Sequence, residues 1–190
     1  MLTRLMYLFV MLIIPGLAVA MNPLEPADTS SPRATMQSFL ELTDEVSRRF
    51  VEYREDPSPA TQRALMQGGL KVRRLLDLSQ VPPAVRNAVA EEAYVLLWDV
   101  MMRLELPKLV EIPDATAIMQ ADETDMIAQE WQIPGTEITI ARVEEGPRAG
   151  EFLFSPDTVE RVGNFYELAQ GLPYRRPMPS DDIYQNNLLV

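Results

Sequence analysis

The chain predicts an α+β, mainly helical fold, an antiparallel helical bundle followed by a β-hairpin and a closing helix. Two observations carry this expectation. Three successive segments place apolar residues at helical spacing, each opened by a serine and proline and closed by a proline. After them the apolar period drops from 3.6 to 2 across residues 137–143, and a further Ser-Pro pair then restarts a helix.

The first helix, over 32–55, begins where Ser31 can cap the free N–H groups and Pro32 occupies a position whose N–H would be unbonded anyway. Its apolar residues recur at Met36, Phe39, Leu40, Val46, Phe50 and Tyr53, and Asp56-Pro57 ends it. Ser58-Pro59 repeats the device for a second helix over 59–78, with Leu65, Val72, Leu75 and Leu76 on one stripe. Gly68-Gly69 lies inside that helix. The pair either admits another helix closely or weakens this one, and the sequence leaves both readings open.

Ser79 and Pro83 mark the start of a third helix over 82–105. Val85, Val89, Ala93, Leu96, Val100 and Leu104 form its stripe, widened by Leu97 and Met101, and Pro107 stops it. Three helices with short links and one apolar stripe each should pack as a bundle. Residues 106–130 read as a long connector, partly helical from Ala115 onward. The hairpin follows over 135–154, with Gly146, Pro147 and Gly150 in its turn. Ile138 and Ile140 should share one strand face against the helices, with Glu137 and Thr139 on the other. Ser155-Pro156 opens the closing helix over 156–170, with Val159, Val162, Tyr166 and Ala169 inward, and residues 175–190 read as a flexible tail.

Ahead of this single domain, 32–174, stand two other segments. Residues 1–20 carry one charge, Arg4, then an apolar run over 5–14, a Pro15-Gly16 break and Ala18-Val19-Ala20, the small-x-small pattern at which signal peptidase cuts. The run is shorter than the roughly 20 apolar residues that span a bilayer, so cleavage after Ala20 and export are expected. Residues 21–31 form an extended, Pro- and Ser-rich lead-in. No second apolar stretch of spanning length follows.

The composition narrows the function. Seventeen Lys and Arg against 28 Asp and Glu give a net charge of −11, one unit more negative without Arg4. That balance argues against nucleic acid and against direct binding to anionic lipid. There is no Cys and no His. Thiol nucleophiles, His general bases, Ser-His-Asp triads and the usual zinc and copper sites are therefore removed.

The remaining candidates each have an ordinary reading. Glu144-Glu145 are adjacent near a turn and read as solvated. Asp122, Glu123 and Asp125 could surround Ca²⁺, but lack the spacing and glycine of an EF-hand loop; a solvated acidic run is the expectation. Trp98 sits among Leu97 and its neighbours as a core residue, and Trp131 opens the hairpin. Ser31, Ser58 and Ser155 are explained by capping, and a serine nucleophile would need Lys71 or Lys108 as its base. Arg33, Arg142, Arg148, Arg175 and Arg176 are basic groups that either dock an acidic partner or pair locally. No catalytic, cofactor-binding or metal-ligating residue is assigned, and no enzyme is expected.

A resemblance adds to this reading. Asn22-Pro23-Leu24-Glu25-Pro26 leads through Ser31-Pro32-Arg33 into Phe39-Leu40; Leu76-Asp77-Leu78-Ser79 precedes Val81-Pro82-Pro83; and Leu104-Glu105-Leu106-Pro107 runs on to Glu111-Ile112-Pro113-Asp114. Trp131, Ile133-Pro134-Gly135, Gly146-Pro147-Arg148, the stretch from Gly150 to Pro156 and Leu172-Pro173-Tyr174 complete the set. In this order they resemble the N-terminal extracytoplasmic domain of bacterial MscS-like mechanosensitive ion channel family proteins. The resemblance implies a periplasmic location, at the outer side of the inner membrane, and full-length channel subunits or other envelope proteins as partners. It implies a structural and interaction role and not a pore, because no position here matches the family's pore region. A stand-alone exported envelope binding protein that shares the domain is the second reading.

Overall fold

The computed structural model describes residues 26–121 and 126–178. The signal-like segment, Asp122, Glu123 and Asp125, and the tail from 179 onward lie outside the described residues.

The fold is α+β and mainly helical. Helix α1 spans Pro32–Glu55, α2 Pro59–Arg73 and α3 Arg86–Arg103. A 3₁₀ turn at Leu109–Glu111 and the short helices α4, Ala115–Gln120, and α5, Met126–Gln129, lead to strands β1, Glu130–Gln132, β2, Thr139–Arg142, and β3, Phe152–Phe154, before α6, Pro156–Ala169. Ser31, Ser58 and Ser155 each accept the backbone N–H three residues on, from Ala34, Thr61 and Thr158. These are the caps that the three Ser-Pro pairs anticipate.

Helix α2 packs along α1 on one side and touches α3 on the other. The Gly68-Gly69 pair makes both approaches. A Cβ added at Gly68 would stand 3.0 Å from Val46 Cγ2, and one at Gly69 would stand 3.0 Å from the Tyr94 hydroxyl. Close approach is therefore the role of the pair.

Three expectations are corrected. Helix α2 ends at Arg73, not near 78. The period carried by Leu75 and Leu76 is helical, but their backbone is taken by β3. Phe154 N–H donates to Leu75 O at 2.9 Å, and Asp77 N–H donates to Phe154 O at 2.9 Å. Helix α3 is buried all round rather than on one stripe, with every residue from 93 to 102 buried. Its main helical partner is α6, which arrives last in the chain. The sheet has three strands in the order β1-β2-β3, all antiparallel, because the connector contributes Glu130–Gln132 as an edge.

The strand face is as the alternation requires. Ile138 and Ile140 are buried, Glu137 is exposed and Thr139 is half-buried. Ile140 stands opposite Trp131 on one side and Phe154 on the other. Phe154 in turn meets Phe39 of α1 edge to face, with ring centroids 5.1 Å apart. The free edge of β3 is closed by the lead-in and α1. Phe152 N–H donates to Thr29 O at 2.8 Å, and the buried Thr35 hydroxyl donates to Phe152 O at 2.5 Å. An otherwise open edge is thus fully bonded. Among the described residues, no helix is long and apolar enough to cross a membrane.

Candidate functional site

Most of the residues singled out in the sequence are absorbed by the fold. Trp98 is buried in the core. Trp131 is half-buried and packs against the core from β1. Glu144 and Glu145 are exposed. Lys71 lies 3.9 Å from Glu45, and Lys108 precedes the 3₁₀ turn. Ser155 is bound into a hydroxyl cluster. Its Oγ lies 2.5 Å from Thr139 Oγ1 and 3.1 Å from Thr158 Oγ1, while Thr139 N–H donates to Thr158 Oγ1 at 2.9 Å. This cluster caps α6 and ties it to β2.

The arginines act mainly as latches. Arg33 donates from Nε to Ile112 O at 2.9 Å, from Nη1 to Asp114 Oδ2 at 2.8 Å and from Nη2 to Val110 O at 3.2 Å. Backbone bonding adds to this, since Arg33 N–H donates to Pro113 O at 3.0 Å. Asp114 also accepts the Ala117 N–H as the cap of α4, and that bond, first, and Arg33, next, hold its carboxyl below the usual carboxylate range. Arg148 reaches Glu151 Oε2 and donates to Arg74 O at 2.7 Å, and it holds the Glu151 carboxyl low, helped by the Thr29 hydroxyl.

A third latch was not singled out in the sequence. Asp99, buried on α3, receives Arg103 Nε at 2.7 Å and Nη2 at 3.2 Å in a two-pronged pair. It also receives the Tyr174 hydroxyl at 2.5 Å. Arg103 Nη1 donates onward to Gln170 O at 3.0 Å and Leu172 O at 2.5 Å. Arg175 N–H donates to Met102 O at 2.9 Å, so the tail is fixed at its start, where a flexible segment is expected. Burial first, and the bond to Asp99 next, push the Tyr174 hydroxyl well above the ordinary tyrosine range.

A cleft of about 490 Å³ lies between the end of α2, the start of α3 and the β2–β3 turn. Four arginines line it, Arg73, Arg74, Arg86 and Arg148. Leu76 and Leu153, both buried, contribute its apolar floor. Asp77 and Glu145 are the acidic residues on its wall, and Asp77 Oδ1 is already bonded to Ser79 N–H at 2.9 Å. Arg86 is turned onto Val81 O, at 3.0 Å from Nη2. Arg73 pairs at longer range, 3.7 Å to Glu91 and 3.3 Å to Asn87. Among the described residues, the Arg74 side chain has no hydrogen bond or ion pair. Only Arg148 of these four was singled out from the sequence, because the other three are scattered along helix termini without a pattern. Among the described residues, no three Asp or Glu side chains converge as a metal site would require.

Comparison of the chain with protein-family models, with curated proteins and with solved structures gave no match.

Proposed function

We propose that the chain is an exported interaction module of the cell envelope, of the kind that precedes the membrane helices in MscS-like mechanosensitive channel proteins. It acts outside the cytoplasm by contact with other envelope proteins and not by catalysis. One observation carries the reading. Several of the short segments that make the resemblance bond to each other in the fold. Arg33 grips Ile112 and Asp114, Asp77 pairs with Phe154, Phe152 pairs with Thr29, and the segment through Tyr174 closes on α3. Isolated caps and turns recur in unrelated chains, whereas segments that depend on one another for their contacts are expected to occur as a set, which supports the reading. The leader pattern through Ala20 supports export. The buried Ser155 and Thr158 hydroxyls and the Asp99 and Glu151 carboxylates are spent on a helix cap and on arginines, which supports binding over catalysis.

In-cell photocrosslinking tests the proposal. A crosslinkable residue is placed at Met66 on α2, Val110 on the 3₁₀ turn or Leu168 on α6, all exposed, and the chain is expressed beside an MscS-like channel protein of the same envelope. A crosslink to the channel subunit from at least one face is expected. Its absence from all three, with the exported chain folded, would favour the second reading, a stand-alone exported envelope binding protein. The arginine-bordered cleft is the feature that favours that alternative.

A further inference from the structure

We infer that the cleft between α2, α3 and the β2–β3 turn is a binding site for a small amphipathic anion, a carboxylate or phosphate carried on a short apolar body. The inference goes beyond the envelope assignment and does not depend on it. Arg73 and Arg148 in the cleft lining are paired with Glu91 and Glu151, whereas Arg74 and Arg86 have no carboxylate partner among the described residues, so the cleft offers two uncompensated cations in a chain of net charge −11. Its volume, about 490 Å³, falls in the range that encloses one small molecule, roughly 300–1,000 Å³.

The four arginines divide by what already holds them. Arg86 is pinned to Val81 O at 3.0 Å and serves as a fixed positive wall, while Arg148 is held by Arg74 O at 2.7 Å and by the Glu151 carboxylate and contributes shape more than charge. Arg73 is held only at longer range, and Arg74 has no partner among the described residues. These two retain the planar donor forks that match a carboxylate or phosphate. The first turn of α3 adds to the same wall through Arg86 and Asn87. That helix starts without a side-chain cap, Val85 offering no acceptor, so its positive end is left for a ligand or solvent. The apolar lining that water still reaches is Leu70 and Pro147, both exposed, beside the buried Leu76 and Leu153. A bound group with an apolar body that covers them gains about 25 cal/mol for each Å² withdrawn from water, which an inorganic ion does not.

Titration of the isotope-labelled full chain, followed by NMR, tests this with four probes: octyl phosphate, octanoate, octanol and inorganic phosphate. Octyl phosphate or octanoate should shift the Arg74, Asn87, Val143 and Arg148 amides, and whichever binds more tightly identifies the head group. Octanol and inorganic phosphate should each bind at least about tenfold more weakly, since each lacks one half of the recognition. Arg74→Gln and Arg73→Gln should each weaken the better probe severalfold with unchanged melting, and Arg142→Gln, outside the cleft, should not. Raising salt should weaken binding of both anions. Two outcomes overturn the proposal: no saturable shifts at these residues with either anionic amphiphile, or equal affinities for Arg74→Gln, Arg73→Gln and the unsubstituted chain.

Discussion

The Tyr174 hydroxyl donates to Asp99 Oδ2 at 2.5 Å while its ring lies under the Arg103 guanidinium, 3.8 Å from ring centre to the guanidinium carbon. One residue thus caps a buried carboxylate and covers its cationic partner, joining the segment after α6 to the C-terminal end of α3. The cation over the ring adds to the pair. Arg103→Ala should cost about 3–5 kcal/mol, because it leaves Asp99 buried without its counter-charge. Tyr174→Phe keeps the ring and loses one bond to a charged group, so about 1–2 kcal/mol is expected. Urea unfolding of the two variants checks the order. Hydrogen exchange at Arg175 and Arg176 should accelerate in both, and unchanged exchange would show that the latch does not hold the tail.

Tyr94 and Tyr174 should make stability fall in alkali. Burial raises both hydroxyls above the ordinary tyrosine value, with Glu91 adding at Tyr94 and Asp99 at Tyr174. A folded pKa above the unfolded one favours the protonated form. That contribution is complete below about pH 10 and is lost as pH rises from there through the folded values. Denaturant unfolding at a series of pH values from about 9 to 11 should show the decline, and Tyr174→Phe should show less of it.

The same substitution should have opposite signs at two glycines. Gly163 of α6 is exposed, and an added Cβ meets nothing within 4 Å, so Gly163→Ala should stabilise by up to about 1 kcal/mol through helix propensity. Gly68→Ala gains the same propensity but presses a methyl to 3.0 Å from Val46 Cγ2. Overpacking of about 1–3 kcal/mol should outweigh it. Thermal melts of the two variants decide the matter.

Ile140→Asp should cost several kcal/mol, about 4 or more, since it buries a charge between Trp131 and Phe154. Thr139 is less passive than strand alternation alone suggests, because its hydroxyl meets Ser155 at the cap of α6. Thr139→Ala should cost about 1 kcal/mol. Comparable melting shifts for the two would contradict the strand register.

The parts of the fold that were legible in the sequence are those written locally. Ser31, Ser58 and Ser155 announce helix starts, and the alternation at Glu137, Ile138, Thr139 and Ile140 announces a strand with its buried face. Leu75 and Leu76 misled because helical spacing says nothing about a competing claim on their backbone, which Phe154 makes from 78 residues further on. Strand β1, three residues long, is too short to display a period. Asp99 and Arg103, spaced i,i+4, carry no signal of their own in the sequence, because the residue that covers them, Tyr174, is 75 positions from Asp99. The cleft was invisible for the same reason, since Arg73, Arg74, Arg86 and Arg148 meet only through the packing of α2, α3 and the β2–β3 turn.

The measurement that bears most directly on the envelope assignment is the compartment and mature N-terminus of the chain in its own cells. Fractionation followed by N-terminal sequencing should recover it outside the cytoplasm beginning at Met21, after the Ala18-Val19-Ala20 site. Recovery from the cytoplasm with Met1 intact would contradict the account.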